Sequence, residues 1–583
     1  MAMNRDIVLS SIVLSLLACT PPAQDDASDE QGSSDGECTP GSENCECVEN
    51  QCLGDLTCED DICTGCTAGQ PGCACIEGQC FGNVACIDGV CGGPDGDGDG
   101  DPTGDGDGDP TGDGDPTGDG HGDPTGDGDG DPTGDGDGDG DGDTCDTVTD
   151  TLGCVFHALK FPTHQAQIDD DLPLILIIGN PLSDSTEVVV EQRQNGSWTT
   201  VAGPLSVAAM DTHEFYFYGS DDIVAPGVYE GKAYRLTSTK PIVAHQFNSN
   251  IGARLSATNL VPVRAWGGSG RALGDERGEW SLGRGFSISV VAAVDGTTLM
   301  VDPAGTVAAG PDTPMTSSPF QVLLDAGEVL SLFKPASNGT LLDTTFTSDP
   351  AHPIGVYISH SCGSVYGPLC DDHYAEQLLP LEHSYGTLTA GLRDAFTPPV
   401  NPTYDRTYWV VWAEQPNTSV VMTSTPNVPL PPQPYLVNTF GKFWIETDDV
   451  PEIGDILFEG VKPFAVFNIT DGAEENQVRG TGLAQIPAFE HLASRYVFAT
   501  PDFNMLNADL SIAYPTGASV MITGPTTELT APYEFADGWT AARFNLEAGQ
   551  LYVLDGSEPF IALVGGRQGG INRSFLMNTG ATW

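Results

Sequence analysis

Four times between residues 241 and 565 a proline leads straight into a short apolar run. The runs are Pro241-Ile-Val-Ala-His-Gln-Phe247, Pro353-Ile-Gly-Val-Tyr-Ile-Ser359, Pro463-Phe-Ala-Val-Phe-Asn-Ile469 and Pro559-Phe-Ile-Ala-Leu-Val-Gly565. The prolines stand 112, 110 and 96 residues apart. Upstream of each lies a turn followed by a strand-like phrase: Ser183-Asp-Ser-Thr-Glu-Val-Val-Val190, Asp295-Gly-Thr-Thr-Leu-Met-Val301, Pro416-Asn-Thr-Ser-Val-Val-Met422 and Thr516-Gly-Ala-Ser-Val-Met-Ile522. Between the two phrases falls a strand pair around a turn, clearest at Leu324-Asp-Ala-Gly-Glu-Val-Leu330 and Leu546-Glu-Ala-Gly-Gln-Leu-Tyr552. Recurrence at a fixed period means copies of one supersecondary unit. β-Branched and aromatic runs such as Phe286-Ser-Ile-Ser-Val-Val-Ala292 and Tyr408-Trp-Val-Val-Trp412 suit strands. Long helical periodicity is largely absent; Ala375–Leu379 and Phe489–Arg495 each fit one helical turn. Residues 145–583 therefore read as all-β, with about four tandem β-sandwich-like repeats of roughly 100 residues each. The alternative is a four-bladed, propeller-like arrangement.

Charge separates this body from what precedes it. The chain has 21 Lys+Arg against 83 Asp+Glu, a net charge of −62. Between Thr20 and Val155 there are 36 acidic residues and no Lys or Arg. Binding to nucleic acid or an anionic membrane surface through charge is excluded, because both need basic patches.

Met1–Arg5 is a short, positively charged n-region, and Ile7–Leu17 is mostly apolar. About 20 apolar residues are needed to cross a bilayer, so this run has signal-peptide length. It ends in Leu16-Leu17-Ala18-Cys19, which resembles the bacterial lipobox. That resemblance implies cleavage after residue 18 and lipidation of Cys19. Thr20, where an aspartate would favour inner-membrane retention, points to the outer membrane and cell surface. Residues 1–18 are thus expected to be a lipoprotein signal peptide and 19–37 a polar tether.

Residues 38–91 hold Cys38, Cys45, Cys47, Cys52, Cys58 and Cys63, then Cys66, Cys73, Cys75, Cys80, Cys86 and Cys91. The second six repeat the spacing of the first, shifted by 28 residues. Even cysteine numbers in short exported units imply disulfides, here as two cross-linked units with too few apolar residues for a core. Six cysteines allow 15 pairings, and the sequence does not choose among them. Thiolate metal binding is the alternative, but C-x2-C occurs only at the junction Cys63-Thr64-Gly65-Cys66.

Residues 92–144 are Gly-Asp and Asp-Pro-Thr-Gly repeats with 19 Asp from 95 to 143. Such a composition suits a disordered, self-repelling linker. Fully extended, it reaches at most ~170–190 Å. Carboxylates at alternate positions from Asp95 to Asp101 also suit weak calcium binding, although the bidentate glutamate of an EF-hand loop is missing. No other cofactor is implied.

The second repeat carries Ser359-His-Ser-Cys362, Cys370-Asp-Asp-His-Tyr-Ala-Glu-Gln-Leu-Leu-Pro380 and His383-Ser-Tyr-Gly386. With the Pro-Ile-Val-Ala-His-Gln-Phe-Asn phrase and the Asp-Gly-Thr turn, this resembles the IgGFc-binding-protein N-terminal domain over most of residues 165–580. The family-motif positions are Cys370, Asp372, His373, Glu376, Gln377, Pro380 and Gly386. Tyr385 stands where many relatives carry tryptophan. The resemblance implies an extracellular all-β binding module without known catalytic residues.

Cys362 and Cys370 are expected to close a loop by a disulfide, and Cys145 and Cys154 to do the same at the start of the body. Less Cys19, the chain's 17 cysteines leave an even number to pair. Asp371, Asp372, His373 and Glu376 admit two readings: a metal site, or a loop held by side-chain-to-backbone hydrogen bonds. His213-Glu214 fails the H-E-x-x-H pattern because residue 217 is Phe. Gly267-Gly-Ser-Gly270 lacks the spacing of a nucleophile elbow. The expected function is adhesion or binding at the cell surface, through a membrane lipid, to glycoprotein, polysaccharide or a neighbouring cell. The alternatives are an extracellular carbohydrate-active hydrolase and a structural envelope protein.

Overall fold

The computed structural model describes Cys145 and residues 151–582, apart from 163–171, 220, 251–253, 278–284, 336–338, 364–371, 394–404, 425–434, 438–441, 447–454, 475–476, 503–506 and 568–574. It also describes four short strands between residues 57 and 91. The chain falls into two units, Met1–Thr133 and Gly134–Trp583.

In the first unit, Thr57–Glu59 pairs with Ile62–Thr64 and sets Cys58 opposite Cys63. Cys86–Ile87 pairs with Val90–Cys91 and sets Cys86 opposite Cys91. The same hairpin thus occupies the same place in both cysteine units. Cys19, Cys38, Cys45, Cys47, Cys52, Cys66, Cys73, Cys75 and Cys80 lie outside the described residues, as does the linker.

The second unit is nearly all strand. Its four repeats share one pairing scheme built on two sheets. In the first repeat, Leu174–Asn180 runs between Asp211–Phe217 and the later half of Ala233–Asn250. That later half then pairs with Arg254–Asn259. The earlier half of the same long strand belongs to the second sheet, between Gly153–Leu159 and Thr186–Gln194. Pro241 lies where the strand passes from one sheet to the other. Proline has no N–H to give a ladder, so it suits this crossing point. Pro463 does the same within Ile456–Glu474, whose two parts pair with Gly386–Gly391 and with Asp405–Ala413. In the second and fourth repeats the chain breaks at the crossing, so Pro353 and Pro559 stand just before separate strands, Ile354–Gly363 and Ile561–Arg567. The fourth repeat departs from the scheme in one pairing: Thr526–Ala536 joins Trp539–Leu546.

Each hydrophobic core is shared between neighbouring repeats. Leu174, Leu176 and Ile178 pack with Val291, Val329 and Tyr357 of the second repeat. The intervening Ile175 and Ile177 pack with Leu510 and Val564 of the fourth. Tyr408, Val410 and Trp412 join Phe286 and Ile288 of the second repeat. Trp409, Val411 and Ala413 join Trp539 and Leu563 of the fourth. A strand with apolar neighbours on both faces needs no polar alternation, which explains the unbroken Leu-Ile-Leu-Ile-Ile and Tyr-Trp-Val-Val-Trp runs. The four cores close a ring. At its centre the last strands of the repeats, Arg254–Asn259, Asp372–Gln377, Gln477–Ile486 and Phe575–Asn578, each pack on the next. The two expected architectures therefore meet: every repeat has two sheets, and the repeats are arranged around an axis as propeller blades are.

Two expectations are corrected. The strands flanking the Leu324–Leu330 and Leu546–Tyr552 turns do not pair with each other, because each turn carries the chain from one sheet to the other. Ala375–Leu379 is not a helical turn: Glu376 and Gln377 pair with Ile358 and Tyr357. The turn comes later, at Leu381–Ser384, with Pro380 as its N-cap. Proline's fixed φ suits a helix start and ends the strand before it. Of Phe489–Arg495, only Phe489–His491 is helical, as a short 3-10 turn, and Arg495 already opens the strand Arg495–Ala499.

Candidate functional site

Side chains from all four repeats meet at the axis. The Gln377 Oε1 accepts the Val261 N–H at 2.9 Å. The Gln485 Oε1 accepts the Leu379 N–H at 2.9 Å. In both cases an amide of one repeat grips the preceding repeat just before its inner-strand proline, Pro262 or Pro380. The Gln377 N–H donates to the Thr258 hydroxyl at 2.9 Å. The Glu376 Oε1 accepts from the Gln485 N–H at 3.1 Å and from the Asn578 Nδ2 at 3.3 Å. Burial pushes the Glu376 carboxyl up to about 8, against the smaller downward pull of the Gln485 N–H and the nearby Thr258 hydroxyl. Gln377→Ala is expected to destabilise the ring by about 1–3 kcal/mol, because it strands a buried backbone donor. The urea midpoint reads this directly; an unchanged midpoint would mean that water replaces the amide.

The residues singled out in the sequence are divided by the fold. Successive strand residues face opposite sides, so His373 and Glu376, three apart, do not converge. The His373 Nε2 bonds the Asn248 carbonyl at 3.0 Å. Cys370 and Asp371 lie outside the described residues, as do the side chains of Cys362 and Asp372. Among the described residues, no group of three or more His, Cys, Asp or Glu could hold a metal. A disulfide joins Cys145 to Cys154. A side chain at Gly386 would run into Ala488 and the Glu490 carboxylate, so the close approach of the third repeat's turn requires glycine.

A cavity of about 600 Å³ opens on the second repeat, lined by Arg271, Glu276, Asp302, Asp343 and Thr345 among others, with Trp412 of the third repeat at one side. Most of its charge is already engaged. Arg271 pairs with Asp343 and donates to the Tyr385 hydroxyl at 3.1 Å. Burial pushes that phenol up to about 12, with Arg271 opposing. The Lys334 Nζ lies 3.4 Å from the Glu276 Oε2. The Trp412 Nε1 donates to the Gly274 carbonyl at 3.0 Å. Asp302 is exposed at the rim. Apart from Trp412 these residues belong to the second repeat, where segments far apart in sequence are brought together by its own fold. No spacing in the sequence announces them.

The family described as IgGFc binding protein matches residues 256–566. The chain belongs to this family. The match begins in the innermost strand of the first repeat and ends in the fourth, a narrower span than the resemblance over 165–580. No curated protein and no solved structure matches the chain. IgGFc-binding domains are extracellular binding domains. In this IgGFc-binding ring, the motif residues Glu376 and Gln377 join the repeats to one another. Among the described residues, no helix is long and apolar enough to cross a membrane.

Proposed function

We propose that this chain is a lipid-anchored binding protein. It holds its IgGFc-binding ring outside the cell, against an extracellular glycoprotein, a polysaccharide or a neighbouring cell. The observation that carries this reading is the union of a binding-family ring with a front end that has the lipobox-like Leu16-Leu17-Ala18-Cys19 and no basic residue from Thr20 to Val155. The two six-cysteine units, stabilised by disulfides, and the acidic linker would set the distance from the membrane. The proposed contact surface is the cavity on the second repeat, with Asp302 at its rim.

Two measurements test this. Cys19→Ala is expected to move the protein from the membrane fraction to the soluble exported fraction; unchanged fractionation rules out the lipid anchor. Binding of the full chain to mucins, immunoglobulin, polysaccharides and intact cells, with calcium and with chelator, is expected to saturate for one class. Asp302→Arg should weaken that binding at least tenfold without changing thermal stability. Absence of binding under both conditions would overturn the adhesion reading.

A further inference from the structure

Two repeats place the same dipeptide after their inner-strand prolines. Glu382-His383 follows Pro380, and Glu490-His491 follows Pro487. The first repeat has Arg264-Ala265 after Pro262 instead. The short helical turns Leu381–Ser384 and Phe489–His491 bring the two imidazoles together across the seam of the second and third repeats. Their Nδ1 atoms lie 3.4 Å apart, with ring centroids at 5.0 Å and planes at 78°. Both rings are half-buried, so water and ions reach them.

We propose that His383 and His491 together bind one late-transition-metal ion of the zinc or copper class through their facing Nδ1 atoms. The geometry fits without rearrangement. A tetrahedral ion with metal–nitrogen bonds of about 2.0–2.1 Å holds two of its nitrogens ~3.3–3.4 Å apart. The His491 Nε2 lies 3.2 Å from the Tyr385 carbonyl. A carbonyl only accepts, so Nε2 carries a proton, and the tautomer protonated there alone has its Nδ1 lone pair towards His383. A backbone carbonyl on the far nitrogen is the usual way to orient a metal-ligating histidine. Among the described residues no third His, Cys, Asp or Glu completes the set. The remaining positions would go to water, leaving an open and exchangeable site that ties two repeats together.

The test uses the full chain, freed of metal by chelator and titrated with zinc chloride against a competing chromophoric chelator. The wild-type chain is expected to take up one ion at least tenfold more tightly than His383→Gln, His491→Gln or the double variant. Zinc should also raise the unfolding temperature of the wild type alone. Equal uptake by the wild type and the double variant would assign the zinc to the acidic front end and overturn the proposal. So would loss on changing one histidine but not the other. Metal-free melting of the variants checks that they fold. If they do not, copper(II) bound to the unaltered chain should show magnetic coupling to two imidazole nitrogens, and a spectrum with fewer overturns the site.

Discussion

Asp455→Ala is expected to cost about 3–5 kcal/mol of stability, because it leaves a buried guanidinium without its counter-charge. The Asp455 side chain is 1% exposed and that of Arg543 7%, with Nη2 to Oδ1 at 2.6 Å. The Asp455 Oδ1 also accepts the Arg393 N–H at 2.8 Å, and the Arg543 Nη2 donates to the Arg393 carbonyl at 3.2 Å. The Tyr533 hydroxyl bonds both partners. Burial works against the Arg543 charge, and Asp455 and Tyr533 more than offset it. The pair links the third repeat to the fourth, so its loss should loosen that seam. An apolar double replacement, Asp455→Leu with Arg543→Met, should recover much of the stability, since two well-packed apolar groups need no partner. Denaturant midpoints of the three proteins decide the matter. If the single variant melts with the wild type, water reaches this pair and it is not a closed ion pair.

The second large effect is a pH dependence centred on the axis. The Glu376 carboxyl has an ordinary value of 4.5 and is raised to about 8 in the ring, by burial above all. Between those values the folded chain holds a proton that the unfolded chain has released. Stability from this group is therefore fully present below pH 4.5 and is lost as pH rises through 8. The linkage amounts to several kcal/mol, on the order of 4–5 at most. Glu376→Gln keeps an acceptor for the Gln485 N–H and carries no charge. It should flatten this slope and leave the ring more stable than the wild type at pH 8. Parallel slopes for the two proteins would show that Glu376 stays solvated.

Several features of the ring are visible in the sequence because they depend on local chemistry. The four proline phrases mark the repeats, and the strand-forming runs lie where the strands lie. The meaning of the proline was not visible. Only the pairing of Tyr234–Ser238 with one sheet and Val243–Asn248 with another shows that Pro241 marks a crossing between sheets. Glu376 and Gln377 stood out as motif residues, yet their partners Val261, Gln485 and Asn578 belong to other repeats. Sequence proximity suggested a metal cluster at 371–376, whereas strand alternation sends His373 and Glu376 apart. The Ala375–Leu379 composition suits either state, and pairing with Ser359, Ile358 and Tyr357 makes Ala375, Glu376 and Gln377 strand. The His383–His491 pair depends on repeat-to-repeat packing and the cavity on the folding of distant segments of the second repeat, and no local pattern reports either.

The ring also has a mechanical seam. A Cβ at Gly580 would strike the Thr151 side chain, so the chain enters and leaves the ring at one spot. In a chain tethered as proposed, tension reaching residue 145 would cross the disulfide to Cys154. Residues 146–153 are thereby taken out of the load path. The force falls on the rest of Gly153–Leu159, which is laced to Ala233–Thr237 along its length. Pulling on a strand along its own axis strains those bonds together, whereas peeling from an end would break them one at a time. Reduction of the bridge would return residues 146–153 to the load path.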